Sequence, residues 1–183
     1  MENTLQQLVD REAIRDVMCR YARGVDRGDW DFVRQVYHED AYDDHGDYKG
    51  DVDGFIEFGR KRTGALSQCM HFLGNCLIEF ASDDLAIVET YFCTAHTLTP
   101  EGQRAYGTSG ESDSAQLSAF GRYADRFERR DGTWRIAHRI VIFEATRVFT
   151  DDAPPVKPEW AQLRRDADDP IFKMRKEAGL PAQ

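Results

Sequence analysis

The chain has 183 residues, 41% of them apolar, with 24 basic and 33 acidic side chains and a net charge of −9. That length suits one core with a short appendage, and an acidic surface repels phosphate backbones and anionic lipid, so neither nucleic acid nor a membrane surface is an expected partner. No apolar run reaches bilayer-spanning length, and the polar start "MENTLQQLVDREAIRD" reads as neither signal nor transit peptide.

Residues 5–25 carry Leu5, Leu8, Val9, Ala13, Ile14, Val17, Met18, Tyr21, Ala22 and Val25 at helical spacing, which predicts a long amphipathic helix ended by Gly24 and Gly28. Asp29 is placed to cap a short second helix carrying Trp30, Phe32 and Val33. Short extended pieces follow in "HEDAYDDHGDYKG", and Asp51 or Asp53 opens a third helix through about Arg62. From residue 68 the period changes to two. "SQCMHFLGNCLIEFA", "LAIVETYFCTAHTL", "AQLSAFGRYADRFERR" and "TWRIAHRIVIFEATRVF" read as four long strands, the last two joined by the hairpin turn Asp131-Gly132. A polar, glycine-rich loop, "TPEGQRAYGTSGESDS", separates the middle pair. This order predicts an α+β domain over residues 1–149, a bent, mainly antiparallel sheet with helices on its concave face. Residues 150–183 read as an extension. A proline-rich linker leads to one or two short helices anchored by Trp160, Leu163, Ile171, Phe172 and Met174, which dock on the pocket mouth or on a neighbouring subunit.

Cys19, Cys69, Cys76 and Cys93 form no Cys-x-x-Cys pair, lack zinc spacing and each lie in apolar context, so free buried thiols in a reducing cytoplasm, with no metal, are expected.

Strand alternation brings chemistry together. A tight turn near Ser82-Asp83 sets position 71 roughly opposite 95–97, so His71 and His96 should stand side by side. Asp26 ends the helix that covers that part of the sheet. A carboxylate beside an imidazole fixes its tautomer and strengthens it as a base. Tyr21, one turn back, can point a hydroxyl into the same space, and Arg139 on the last strand can hold a carboxylate or enolate oxygen. Each has a plainer reading. Asp26 can be a solvated helix end, Tyr21 a packing residue, either histidine a satisfied strand residue, and Arg139 the partner of Asp125 across a hairpin.

The set as a whole resembles the SnoaL-like branch of the nuclear transport factor 2-like superfamily, which includes scytalone dehydratase. The likeness runs from about residue 5 to 149. "VDRGDW" resembles that enzyme's catalytic-aspartate segment and falls on Asp26. "MHFLGN" resembles its active-site histidine segment and falls on His71, and a second histidine follows at the interval that separates His71 from His96. "DGTWRI" is shared across the superfamily. The resemblance implies a cone-shaped barrel with a deep apolar pocket. It implies cofactor-free elimination in which an Asp–His pair removes a proton α to a ketone, and it carries Arg139 over as a last-strand arginine.

Two pocket tyrosines of the dehydratase are Val25 and, nearly, His45 here, and two polar pocket residues fall near Gly121 and Tyr123. The acid/base core thus looks kept and the scytalone-reading groups replaced. Asp44, His45, Asn75, Tyr123 and Phe143 are the expected substrate contacts. The expectation is a cofactor-independent lyase or isomerase for an apolar, aromatic or polycyclic carbonyl compound. A binding protein without chemistry, or an interaction subunit like the small subunits of ring-hydroxylating dioxygenases, are the alternatives. Apolar residues on both faces of the last strand suggest a homo-oligomer, a trimer or otherwise a dimer.

Overall fold

The computed structural model describes residues 5–106, 115–149 and 157–180. Helix α1 (Leu5–Arg27) buries Ile14, Val17, Met18, Tyr21 and Val25 on one stripe, while Leu5, Leu8 and Val9 at its start stay exposed. Gly28, at φ +67°, supplies the left-handed residue that closes the helix. Its N–H and that of Asp29 reach back to the carbonyls of Val25 and Gly24 at 3.1 and 2.9 Å. Gly24 lies inside the helix rather than at its end. Asp29 caps α2 (Trp30–Gln35) by accepting from the Phe32 N–H, and Asp51 caps α3 (Val52–Gly64) through the Gly54 N–H.

Among the described residues six strands, β1 (Tyr37–Asp44), β2 (Lys49–Asp51), β3 (Leu66–Ser82), β4 (Leu85–Leu98), β5 (Ala115–Arg130) and β6 (Thr133–Phe149), form one sheet in the order β2-β1-β6-β5-β4-β3. Only β1 and β6 run parallel, so the sheet is mixed and mainly antiparallel. It curves around the helices but does not close, because β2 and β3 are its two edges. Bulges at Leu73/Cys76, Phe120/Gly121 and Arg126/Phe127 bend the long strands. Gly121 is required at one of them: a Cβ there would lie 2.2 Å from the Ile142 carbonyl oxygen and 2.9 Å from the Phe92 ring.

Trp134, from the "DGTWRI" stretch, ties the hairpin to α1 by donating its indole N–H to the buried Asp10 at 3.0 Å, which Arg129 also contacts. Among the described residues no helix is long and apolar enough to cross a membrane.

Three local expectations need correction, the first being Cys19, expected as a buried thiol and found exposed. The segment expected to be entirely loop after β4 begins with a helix, α4 (Pro100–Ala105), because Thr99 accepts from the Gly102 N–H and Pro100 sits at the first turn. Residues 107–114 of that loop, and residues 150–156 of the linker, lie outside the described residues. Among the described residues of the extension one helix forms, α5 (Pro170–Glu177), started by the Asp169 cap and within the one or two expected. Its expected anchors Trp160, Leu163, Ile171 and Met174 are exposed. Polar contacts hold this segment instead. The Arg165 guanidinium donates to the carbonyls of Leu66 and Thr63, Arg27 pairs with Asp169 at 3.3 Å, and Arg23 lies over the Phe172 ring.

Candidate active site

The concave face of the sheet, α1 and α3 enclose a cavity of about 350 Å³, within the range of small-molecule sites. Its wall is mostly apolar: Val25, Trp30, Phe55, Phe58, Phe92, Leu117 and Phe143, with Tyr21 and Tyr123. Polar side chains come from several walls, with Cys69, His71, Thr94 and His96 on β3 and β4, Arg62 and Thr63 on α3, and His45 on the β1–β2 connection.

Asp26 sits in the last turn of α1 and is buried, which removes the solvated-helix-end reading. Its Oδ1 lies 2.6 Å from His71 Nδ1, and its Oδ2 accepts the His71 backbone N–H at 3.0 Å. The thiol of Cys69, two residues earlier on the same strand face, donates to Oδ1 at 3.6 Å. The carboxylate thus faces three donors, and His71 is held as the Nδ1–H tautomer with Nε2 as its basic nitrogen. Burial, reinforced by the Asp26 charge, pushes the Cys69 thiol up to about 12, so it stays a neutral donor.

His96 pairs across the ladder with Cys69 rather than His71, but alternation still sets the two imidazoles side by side, ring centres 6.1 Å apart. Burial first, then the neighbouring His71, pulls His96 down to about 4. It is therefore a neutral imidazole near pH 7. Both of its ring nitrogens are shielded and lack a hydrogen-bond partner among the described residues. Tyr21 stands edge-on to His71 at 6.3 Å, and burial raises its phenol, opposed by Arg139, so the hydroxyl remains protonated.

Arg139 does not border the cavity. Its guanidinium is completely buried behind the tyrosine wall, bonded through Nε and Nη2 to Asp125 at 2.7 Å each, and sandwiched at 4.2 Å between Tyr21 and Tyr123. Burial opposes its charge, yet Asp125 outweighs this and holds the guanidinium well above its usual value. The hairpin pairing with Asp125 is the reading that holds, and Arg139 supports the pocket wall rather than touching a ligand.

Of the expected contacts, His45, Tyr123 and Phe143 line the cavity, while Asp44 and Asn75 do not. Asp44 points outward and pairs with Lys49 at 2.8 Å. Asn75 falls in the Leu73/Cys76 bulge, which breaks the alternation that would have turned it inward, and it is exposed. The inward carboxylate on β1 is Asp43, fully buried, accepting from Tyr37 Oη at 2.7 Å and lying 3.0 Å from His45 Nδ1. Period-two spacing of Ala41, Asp43 and His45 was the available signal for it, and the same spacing links Cys69 to His71.

Asp26, Cys69 and His71 bring three ligand-type atoms within 4.8 Å of one another. Their chemistry suits a hydrogen-bonded dyad better than a metal: the thiol is held protonated, and Nδ1 is already engaged by the carboxylate.

The family model for the SnoaL-like domain matches residues 6–140. No curated protein matches the chain. Among solved structures, LinA superposes with a TM-score of 0.71 at 19% identity, covering 84% of this chain and 100% of that one. A hexachlorocyclohexane dehydrochlorinase, LinA-type3 from Novosphingobium barchaimii LL02, gives 0.66 at 20% identity, covering 82% and 99%. A scytalone dehydratase-like protein from Novosphingobium aromaticivorans gives 0.63 at 18%, covering 84% and 95%. At these identities the likeness is one of fold.

Proposed function

The chain belongs to the SnoaL-like domain family, and on that premise we propose that it is a cofactor-independent lyase or isomerase acting on a mostly apolar carbonyl compound. One observation carries the reading: a buried carboxylate 2.6 Å from the Nδ1 of a histidine that borders an apolar cavity. Nε2 of His71 takes the proton α to the carbonyl. Asp26 balances the imidazolium that forms, and the His71 backbone N–H and Cys69 thiol keep the carboxylate from turning away. Neutral His96 and the protonated Tyr21 hydroxyl are the donors we assign to the enolate oxygen, and the apolar wall excludes water that would weaken them. Two neighbours are named as dehydrochlorinases or dehydratase-like, which agrees with proton abstraction as the shared step.

We also read the protein as a homo-oligomer, a trimer or a dimer, joined through the outer face of the sheet, where Met70, Phe72, Leu77, Ile87, Tyr91 and Phe120 are exposed.

The test is turnover of cyclic aromatic ketones by wild type, His71→Gln and Asp26→Asn, followed by NMR. Loss of about 10²- to 10⁴-fold in both variants is the expected result. Unchanged turnover in His71→Gln would sink the reading, and tight binding with the ligand recovered unaltered would favour a binding protein.

A further inference from the structure

The cavity holds a second carboxylate–histidine pair. Asp43 Oδ1 lies 3.0 Å from His45 Nδ1, with Asp43 completely buried and the His45 side chain 15% exposed. The His45 ring stacks on Phe55, 4.8 Å between centres, and stands edge-on to Phe143. Asp43 is itself pinned by the Tyr37 hydroxyl, which the Arg139 guanidinium contacts at 3.3 Å. This second pair therefore rests on the same buried Arg139–Asp125 group that backs the pocket wall. With Nδ1 turned to Asp43, the Nε2 edge of His45 is the one left for a ligand. The two imidazoles enter the cavity from different elements: His71 from β3 and His45 from the β1–β2 connection, with Phe55 beside the latter.

We infer that the Asp43–His45 pair is the general acid that protonates the leaving hydroxyl when a β-hydroxy carbonyl compound loses water in this cavity. The inference rests on the proposed role of His71 as base. The groups beside His71, namely His96 and Tyr21, serve the carbonyl oxygen and the α-carbon, so a donor from another wall serves the β-carbon. A halide leaves unaided, whereas hydroxide is a poor leaving group that needs a proton as its bond breaks. The balance is complete without a co-reactant. The α C–H bond breaks and its proton goes to His71 Nε2. The electron pair forms the carbon–carbon double bond, the β C–O bond breaks, and His45, entering as the imidazolium, gives its Nε2 proton to the departing oxygen to make water. His71 then returns a proton to solvent and His45 takes one up. Asp43 is a positioning residue and the counter-charge of the imidazolium.

The probe is racemic 3-hydroxy-1-indanone in D₂O, with α-deuterium exchange read by ¹H NMR and indenone formation by absorbance. Wild type is expected to do both. His45→Gln should keep exchange within about threefold while elimination falls about 10²- to 10⁴-fold. Asp43→Asn should lower the ratio of elimination to exchange in the same direction, with thermal unfolding as the check that it folds. His71→Gln should lose both activities. Elimination at the wild-type rate in His45→Gln overturns the inference. So does a parallel loss of exchange and elimination, which would make His45 a contact of the carbonyl or a wall residue. Exchange that survives His71→Gln counts against the base assignment instead. A wild type that neither exchanges nor eliminates overturns both readings.

Discussion

The carboxylate of Asp26 and the Nδ1 of His71 lie 2.6 Å apart although 45 positions separate them in the chain. The contact exists because α1 ends where β3 begins its inward-facing alternation. Asp26 uses both oxygens on His71, one for the ring and one for the backbone N–H. Asparagine in its place keeps one acceptor but turns an amide donor toward either the ring N–H or the backbone N–H. The tautomer of His71 is then no longer enforced. Long-range ¹⁵N–¹H correlation spectra should show the Nδ1–H tautomer in wild type and a mixture in Asp26→Asn, together with the loss of turnover expected above. A His71 that keeps the same tautomer in the variant would mean that Asp26 does not set it.

His96 gives a pH prediction of definite sign. Its value in the folded protein is about 4, lowered mainly by burial, against 6.5 for the free side chain. Between those values the unfolded chain binds the extra proton and the folded one does not. Stability is therefore unaffected above about pH 6.5, falls as pH drops through the window, and levels off for this group below about 4. At about 1.4 kcal/mol per unit, the full loss is roughly 3 kcal/mol. Urea unfolding across pH 4–7 should show this slope, and His96→Phe, which cannot take up the proton, should flatten it. A slope of equal steepness in the variant would assign it to other groups.

The sequence carried the elements and much of the site, because both rest on short-range rules. Helical period, caps at Asp29 and Asp51, and the Asp131-Gly132 turn, with φ of 52° and 74°, are all local. One tight turn and alternation set His71 and His96 side by side, and two register shifts between them and the turn move the pairing by two residues, which leaves both facing inward with His96 opposite Cys69. Where alternation is broken, the reading failed: Asn75 sits in a bulge, and no rule of spacing announces one. Asp44 is the expected contact and Asp43 the inward carboxylate, because two adjacent aspartates at a strand end look alike until the parallel β1–β6 register fixes which faces inward. Arg139 was assigned to the ligand because its depth behind Tyr21 and Tyr123 is a property of packing between three elements.

That burial leads to the third prediction. Arg139 and Asp125 are both at 0% side-chain exposure, and each is the counter-charge of the other. Removing one alone leaves an uncompensated buried ion, which costs about 3–5 kcal/mol. Arg139→Met should therefore lower the unfolding midpoint strongly. Arg139→Met with Asp125→Leu should recover much of the loss, because two apolar groups in place of the pair leave no charge unpaired. Equal instability of the single and double variants would show that the tyrosine stacking on Arg139, and not its charge, holds this wall.

The last prediction concerns the outer face of the sheet. Phe72 on β3 and Phe120 on β5 both pair in register with Cys93 on β4, so the two rings flank one position of the central strand. Phe72 is 66% exposed and Phe120 41%, with Met70, Tyr91 and Ile87 on the same side. A contiguous apolar face of this kind marks an interaction surface. A second copy is the occupant that the proposed homo-oligomer supplies, since copies meeting about a two-fold or three-fold axis close an assembly. Phe72→Glu puts a charge at its centre, and in a symmetric interface like charges accumulate with each added copy. Light scattering coupled to size exclusion should give a mass of two or three chains of 21.0 kDa for wild type and a shift toward one for the variant. The dyad lies on the opposite face of the same strand, so its tautomer signature should persist in the variant. A wild-type mass of one chain would overturn the assembly and leave this face for another partner.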